Sequence, residues 1–414
     1  MVVLKSFFLI ILILSIFKNS LAQHITKCDS TTTFTVANQV STVNWPETGN
    51  RNTFCTYIFK APHNHFFKAS ISYNLAGTAP ACSNNQYVAV SIDNMPNWEG
   101  YTRLCGTVPK TSPQVFQSIA NELKIGIASN DFTKYVNITI ESLPVHQGNC
   151  DCSWNPKTRI INGVDAGKNE FIAHVGFKAK VGSFDQSFCG GTIITPHHAI
   201  TAAHCIVNIH KTYGMANVIM RAGSQNITAP LASDTVYAEE YKLIEAVHHE
   251  KYNNPQNAND IGIVKTSTYI RFTRGVGPAC LPFSYKGYQV PNNTPLTAVG
   301  FGSTEFALDA AYDTNSWILK KVVLYSNSSL AKDCTSEVIC TIGPKTGYTR
   351  GDSCTRDSGG PVYAYMKNRY FDFGVISRGI DCGGVNSYSY NMYIVSYFDW
   401  INTKTSNAFL CNLS

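Results

Sequence analysis

The stretch Gly351-Asp352-Ser353-Cys354-Thr355-Arg356-Asp357-Ser358-Gly359-Gly360-Pro361 sets a serine between an aspartate and two glycines, close to a cysteine. A serine hydroxyl is a weak nucleophile at neutral pH; it needs an adjacent base, and that base needs orienting. Two earlier stretches offer such partners. Thr201-Ala202-Ala203-His204-Cys205 supplies a histidine, and Asn259-Asp260-Ile261-Gly262 supplies a carboxylate. Taken singly, His204 reads as a packed or exposed histidine and Asp260 as a turn residue. The three motifs in the order His, Asp, Ser point instead to nucleophilic catalysis.

The rest of the chain sets the compartment. Residues 1–22 read as a secretory signal: Lys5 is its positive start, residues 7–17 its apolar run and Ser20-Leu21-Ala22 its small-residue cleavage site. That run is too short to span a bilayer, which needs about 20 residues. Fourteen cysteines suit a disulfide framework in an oxidising compartment. Sequons at Asn137, Asn226, Asn292, Asn327 and Asn412 fit the same compartment. A net charge of +6 with no long basic run gives nucleic-acid binding little support. The expected protein is secreted and extracellular, with no membrane span and no cofactor.

Residues 28–142 carry short β-rich runs at 31–36, 54–59, 66–72, 87–92, 123–128 and 135–140, separated by turn signals. Such runs predict an antiparallel sandwich. The spacing of Cys28, Cys55, Cys82 and Cys105, with Cys105-Gly106 and the turn Ser129-Asn130-Asp131, resembles a CUB domain. The resemblance implies Cys28–Cys55 and Cys82–Cys105 bridges. Asp131 matches a calcium-binding position of that family, but Ser83-Asn84-Asn85 offers no carboxylate, so no metal is expected. Residues 146–159 read as a polar linker containing Cys150-Asp151-Cys152, whose cysteines suit tethering disulfides.

From residue 160 the chain resembles the chymotrypsin-like (trypsin-fold) serine proteases, on the three motifs quoted above. The expected fold is all-β: a CUB sandwich at 23–145, the linker and activation segment, a double antiparallel barrel with a closing helix at 160–405, and a tail at 406–414. The resemblance implies an endopeptidase in which Ser358 attacks, His204 moves the proton and Asp260, hydrogen-bonded by Ser377, orients the imidazole. It places the Arg356 and Ser358 amides in the oxyanion hole. Asp352 would floor a pocket for Arg or Lys, walled by Gly379 and by Ser389 where trypsin-like members carry glycine. Cleavage of Arg159-Ile160 would free an amine that pairs with Asp357. The implied bridges are Cys189–Cys205, Cys334–Cys340 and Cys354–Cys382, Cys280 with Cys150 or Cys152, and Cys411 with the other. Partners would be protein or peptide substrates, an upstream activating protease, and serpin-type or other protein inhibitors. The arrangement is similar to CUB-bearing proteases of arthropod haemolymph, saliva and venom.

Two departures stand out. Arg356 occupies an oxyanion-hole position where the family has glycine, and Arg378 replaces a tryptophan beside the cleft. Together they predict added positive charge and a preference for substrates acidic near the scissile bond. Arg356 also favours the alternative reading, a catalytically weak or inactive homologue acting as an extracellular binding protein. His197-His198 and His248-His249 show no metal-ligand spacing and read as surface residues.

Overall fold

The computed structural model describes residues 23–25, 31–35, 40–46, 54–62, 65–78, 82, 86–92, 101–118, 121–144, 151–154, 164–182, 184–253, 258–302, 317–406, 408, 410 and 411. The signal segment, Cys28, Cys150, Arg159, Ile160 and Asn412, which carry expectations above, lie outside them. The chain divides into two units, 1–145 and 146–414. Among the described residues no helix is long and apolar enough to cross a membrane.

In the first unit one sheet runs, in spatial order, Gln23–Ile25, Val40–Trp45, Tyr135–Pro144, His65–Leu75 and Gly106–Val108, with Gln114–Gln117 also paired to His65–Leu75. The second runs Thr31–Thr35, Phe54–Lys60, Glu122–Ser129, Gln86–Ser91 and Thr102–Leu104. Both sheets feed one apolar cluster: Val43, Phe67, Ile71 and Ile138 come from the first, Tyr57, Phe59, Val90 and Ile125 from the second. Ile138 and Val136 alternate with less buried neighbours, as a strand with one face inward should. Glu122–Ser129, paired on both sides, is buried from its second residue onward. The expectation of an antiparallel sandwich needs one correction. Gln23–Ile25 pairs parallel with Val40–Trp45, and Thr31–Thr35 parallel with Phe54–Lys60.

The second unit is all-β with few helices. His174–Val181, Phe184–Ile193, His198–Thr201, Gly262–Thr266, Glu239–His248 and Val218–Ala222 close a six-stranded barrel. A second ring runs Lys320–Ser326, Pro295–Gly300, Pro361–Met366, Arg369–Ile380, Tyr388–Tyr393 and Val338–Ile342, closed by pairing of the last with the first; Val164–Asp165 adds to Lys320–Ser326 outside it. The pairings in both rings are antiparallel. Helix Phe398–Lys404 follows the last strand. Val175, Phe177 and Ile200 of the first ring share a core with Val299, Tyr363 and Val375 of the second, which fixes the two rings against each other.

The end of the linker is held on this unit by more than one kind of contact. Of the two linker cysteines it is Cys152 that bonds Cys280. Arg369 pairs with Asp151 and with the Cys152 carbonyl. The Trp154 indole donates to the Arg274 carbonyl at 3.3 Å, and its ring occupies the space a Cβ at Gly277 would need. Cys82–Cys105, Cys189–Cys205, Cys334–Cys340 and Cys354–Cys382 are also bridged. Cys55 and Cys411 are disulfide-bonded as well.

Among the sequon asparagines, Asn292 is exposed and Asn226 and Asn327 partly so. In the last two the side-chain oxygen accepts the amide two residues on, at 3.1 and 2.9 Å. Asn137 departs from the expectation: it lies mid-strand with Nδ2 buried, where an attached sugar would have no room.

Candidate active site

The three motifs converge where the two rings meet. His204 stands at the start of helix Ala203–Asn208, directly after strand His198–Thr201. Asp260 precedes strand Gly262–Thr266, and Ser358 precedes Pro361–Met366. Local chemistry aims each one. Asn259 takes a left-handed φ of 54°, which asparagine tolerates, and its side chain donates to the Lys251 carbonyl at 3.1 Å. This bend turns Asp260 inward to complete burial. A Cβ at Gly262 would stand 2.6 Å from Ile206 and 3.1 Å from the Val247 carbonyl, so the glycine lets the His204 helix pack close. Gly359, at φ 82°, makes the corresponding approach possible on the serine side: a Cβ there would collide with Thr201 Oγ1 and lie 2.5 Å from the Gly190 carbonyl. The Gly190 amide then donates to the Ser358 carbonyl at 2.8 Å.

Asp260 is satisfied from three directions. Oδ1 accepts the His204 backbone amide at 2.9 Å, while Oδ2 is 2.8 Å from His204 Nδ1 and accepts Ser377 Oγ–H at 2.6 Å. A fully buried carboxylate at this distance holds Nδ1 as the protonated nitrogen, which leaves Nε2 as the acceptor. Cys189, His204 and Cys205 bring their side-chain atoms within 4.8 Å of one another. The two cysteines are consumed in a disulfide, so this cluster has no thiolate with which to hold a metal.

Asp357 lies in a slot built by two glycines. Its Oδ1 accepts the Gly302 amide at 2.8 Å and its Oδ2 the Cys354 amide at 2.9 Å. A Cβ at Gly300 would collide with this carboxylate, and one at Gly302 would stand 2.5 Å from it. Burial pushes its pKa up to about 6, against the pull of those two amides. The pair Gly300 and Gly302 was not singled out in the sequence, although two glycines flanking one aromatic residue are a visible mark of a close approach.

Asp352, Ser353 and Ser389 meet at one end of the strand pair Arg369–Ile380 and Tyr388–Tyr393. Ser389 Oγ donates to Asp352 Oδ1 at 2.5 Å, and the Ser353 amide donates to the same oxygen at 2.8 Å. Burial raises the pKa of Asp352, and the Ser389 hydroxyl is the largest influence opposing it. Gly379 is the cross-strand neighbour of Ser389.

The two arginines behave differently from each other. Arg356 adopts φ 78°, in the left-handed region that costs a non-glycine residue about 1–2 kcal/mol. The neighbouring Cys354–Cys382 bridge helps hold that turn. Replacing Arg356 with glycine is therefore expected to raise stability by about 1 kcal/mol. A denaturation midpoint shifted upward, with turnover retained, is the predicted outcome; a lower midpoint contradicts it. Arg378 tempers the expectation of added charge beside the cleft. Its guanidinium stacks 3.9 Å from the centre of the Tyr390 ring and pairs with Asp333 at 3.3 Å. Arg378 is thus tied to Tyr390 and Asp333, and the neighbouring carboxylate partly offsets the positive charge it adds.

The other histidines are also placed. His248 is exposed and His249 half-buried. His198 departs from its surface reading: it is 8% exposed, bonded to Thr195 Oγ1 at 2.8 Å, and burial lowers its pKa to about 4.

The family described as Trypsin matches residues 160–401. A venom serine protease of Polistes dominula is 30% identical over 275 residues, covering 64% of this chain and 91% of that one. Venom serine protease 34 of Apis mellifera is 31% identical over 277 residues, covering 64% of this chain and 62% of its own. The clotting factor G beta subunit of Tachypleus tridentatus is 27% identical over 275 residues, covering 63% and 85%.

Proposed function

Because the chain belongs to the trypsin family and is a serine endopeptidase, we propose that it is a secreted zymogen whose Ser358 cuts proteins after lysine or arginine. The observation that carries the chemistry is the buried Asp260 carboxylate held between His204 Nδ1 and Ser377 Oγ. With Nδ1 fixed as donor, His204 Nε2 takes the Ser358 proton as Oγ attacks the scissile carbonyl carbon. The imidazolium so formed is stabilised by Asp260 and gives its proton to the leaving amine. Water then repeats the sequence on the acyl-enzyme, returning the acid product and free Ser358. The developing oxyanion is assigned to the Arg356 and Ser358 amides. The left-handed backbone at Arg356 supports this, since arginine keeps its N–H and follows the turn a glycine would take. That conformation weighs against the non-catalytic alternative.

Activation is assigned to cleavage between Arg159 and Ile160. A buried carboxylate is costly to leave charged without a partner. Asp357, with its pKa raised to about 6 by burial, would gain from an incoming ammonium. The α-amine of Ile160 is the proposed cation, and its arrival would favour the ionised form of Asp357. Arg159→Gln should leave the chain uncut by trypsin-like activators at this position and lower its peptidase activity by at least about 10²-fold. Sequencing the new terminus alongside an activity assay tests this. Full activity in uncut Arg159→Gln contradicts it.

The N-terminal unit is read as a CUB-type domain, supported by its two sheets on one core and by the Cys82–Cys105 bridge. Cys152–Cys280, the Arg369 contacts and Trp154 would keep the linker attached after the cut. Relatives named for venom and for clotting support an extracellular setting with protein substrates and an upstream activator, and serpin-type or other protein inhibitors are proposed as further partners.

A further inference from the structure

The floor formed by Asp352 is asymmetric. Oδ1 accepts two hydrogen bonds, from the Ser353 amide and from Ser389 Oγ, which uses both of its lone pairs. Oδ2 is buried and has no hydrogen-bond partner among the described residues. Ser389 has one hydroxyl proton and gives it to Asp352, so in its 3.0 Å contact with Ser353 Oγ it accepts and Ser353 donates. A Cβ at Gly379 would lie 3.6 Å from Ser389 Oγ, so the serine narrows the space that the glycine opens. Ser387 Oγ is likewise buried without a partner. It and the Gly383 amide stand near enough to Asp352 to favour its charged form, without closing a hydrogen bond on Oδ2.

Resting on the reading that Asp352 receives the substrate's basic side chain, we infer that Ser389 makes this pocket select lysine over arginine. A guanidinium binds a carboxylate best through two parallel N–H···O bonds, one to each oxygen. Here Oδ1 has no lone pair left for the second bond, and Ser389 occupies the side that a planar fork needs. An ammonium is a compact point charge with three donors. It can give one to Asp352 Oδ2 and another to Ser387 Oγ, satisfying two buried acceptors that otherwise lack partners. Ser389 is thus a specificity-determining residue, acting by saturating one half of the carboxylate.

The test uses the full chain, cut after Arg159, on paired peptides that differ only in lysine or arginine before the scissile bond. Lysine is expected to lead in kcat/KM by about tenfold, and Ser389→Gly to erase that lead by improving arginine. Ser389→Ala removes the hydroxyl but keeps a methyl group, and should restore arginine part way. Competition by n-butylamine and n-butylguanidine makes the same comparison without any substitution, with n-butylamine expected to bind more tightly. Arginine cleaved as well as lysine, with n-butylguanidine the tighter competitor, overturns the inference and leaves basic-residue specificity standing. Cleavage after an apolar residue and after neither basic one sinks both.

Discussion

Ser358→Ala is expected to lower kcat by about 10⁶-fold, and His204→Ala by a similar factor. In the proposed mechanism the two residues act as one unit: without the serine there is no nucleophile, and without His204 Nε2 there is nothing to take its proton. The double substitution should therefore cost little more than either single one. This near-complete lack of additivity is the signature that separates a working pair from two residues that merely pack near each other. Residual hydrolysis over water, about 10³–10⁴-fold, should survive through substrate binding and the oxyanion amides. Ser358→Ala should keep its denaturation midpoint, because Ser358 is only half-buried, whereas His204→Ala takes a hydrogen-bond donor from the fully buried Asp260 and should lower it. Steady-state kinetics on the four proteins, each cut after Arg159, makes the comparison. Losses that add in full across the double variant would contradict the assignment.

Asp372→Asn is expected to make the second unit more stable at neutral pH and less sensitive to pH. Asp372 is fully buried on strand Arg369–Ile380, opposite Tyr363, and neither of its carboxylate oxygens has a hydrogen-bond partner among the described residues. Burial raises its pKa to about 8; the Thr192 hydroxyl and the Gly374 and Val362 amides ease the charge without overcoming that cost. In the unfolded chain the same group titrates near 3.9. Between those values the folded state binds the proton and the unfolded state does not, so stability falls as pH rises and levels off above about 8. From pH 5 to 8 the loss is about 4 kcal/mol at one pKa unit per 1.36 kcal/mol. The difference in denaturation midpoint between wild type and Asp372→Asn should widen across that range, with the variant higher at pH 8. Parallel curves for the two proteins would contradict this account.

What could be read from the chain depended on how local the signal was. The approach of the His204, Asp260 and Ser358 motifs was legible because glycine, asparagine and small residues that permit close packing sit within three positions of each functional group. Most of the strands in the first unit were legible where β-branched and aromatic residues cluster. Val40–Trp45 was missed because Ser41 occupies the buried register alongside Val43 and Trp45, which hides the alternation. Gln114–Gln117 is largely exposed and carries no inward face to detect. Asp372 gave no sign either: its strand is buried on both faces at that point, so alternation offers no outward position for an acid. Arg378 looked like unspent charge because its partner Asp333 lies 45 residues earlier. The buried pair Glu170–Lys321, at 2.5 Å, joins residues 151 apart and was equally hidden. Contacts of this length come from ring closure, which no local pattern records.

The central claim is that Ser358 works in a complete catalytic centre despite Arg356 in the oxyanion position. Active-site titration tests it most directly. The full chain would be cut after Arg159, a free Ile160 terminus confirmed by sequencing, and the product mixed with a lysine ester that releases a chromophore on acylation. A burst near one equivalent per chain is the predicted result. No burst from lysine, arginine or apolar esters, with the Ile160 terminus confirmed, would contradict it and leave a protein that binds without cutting.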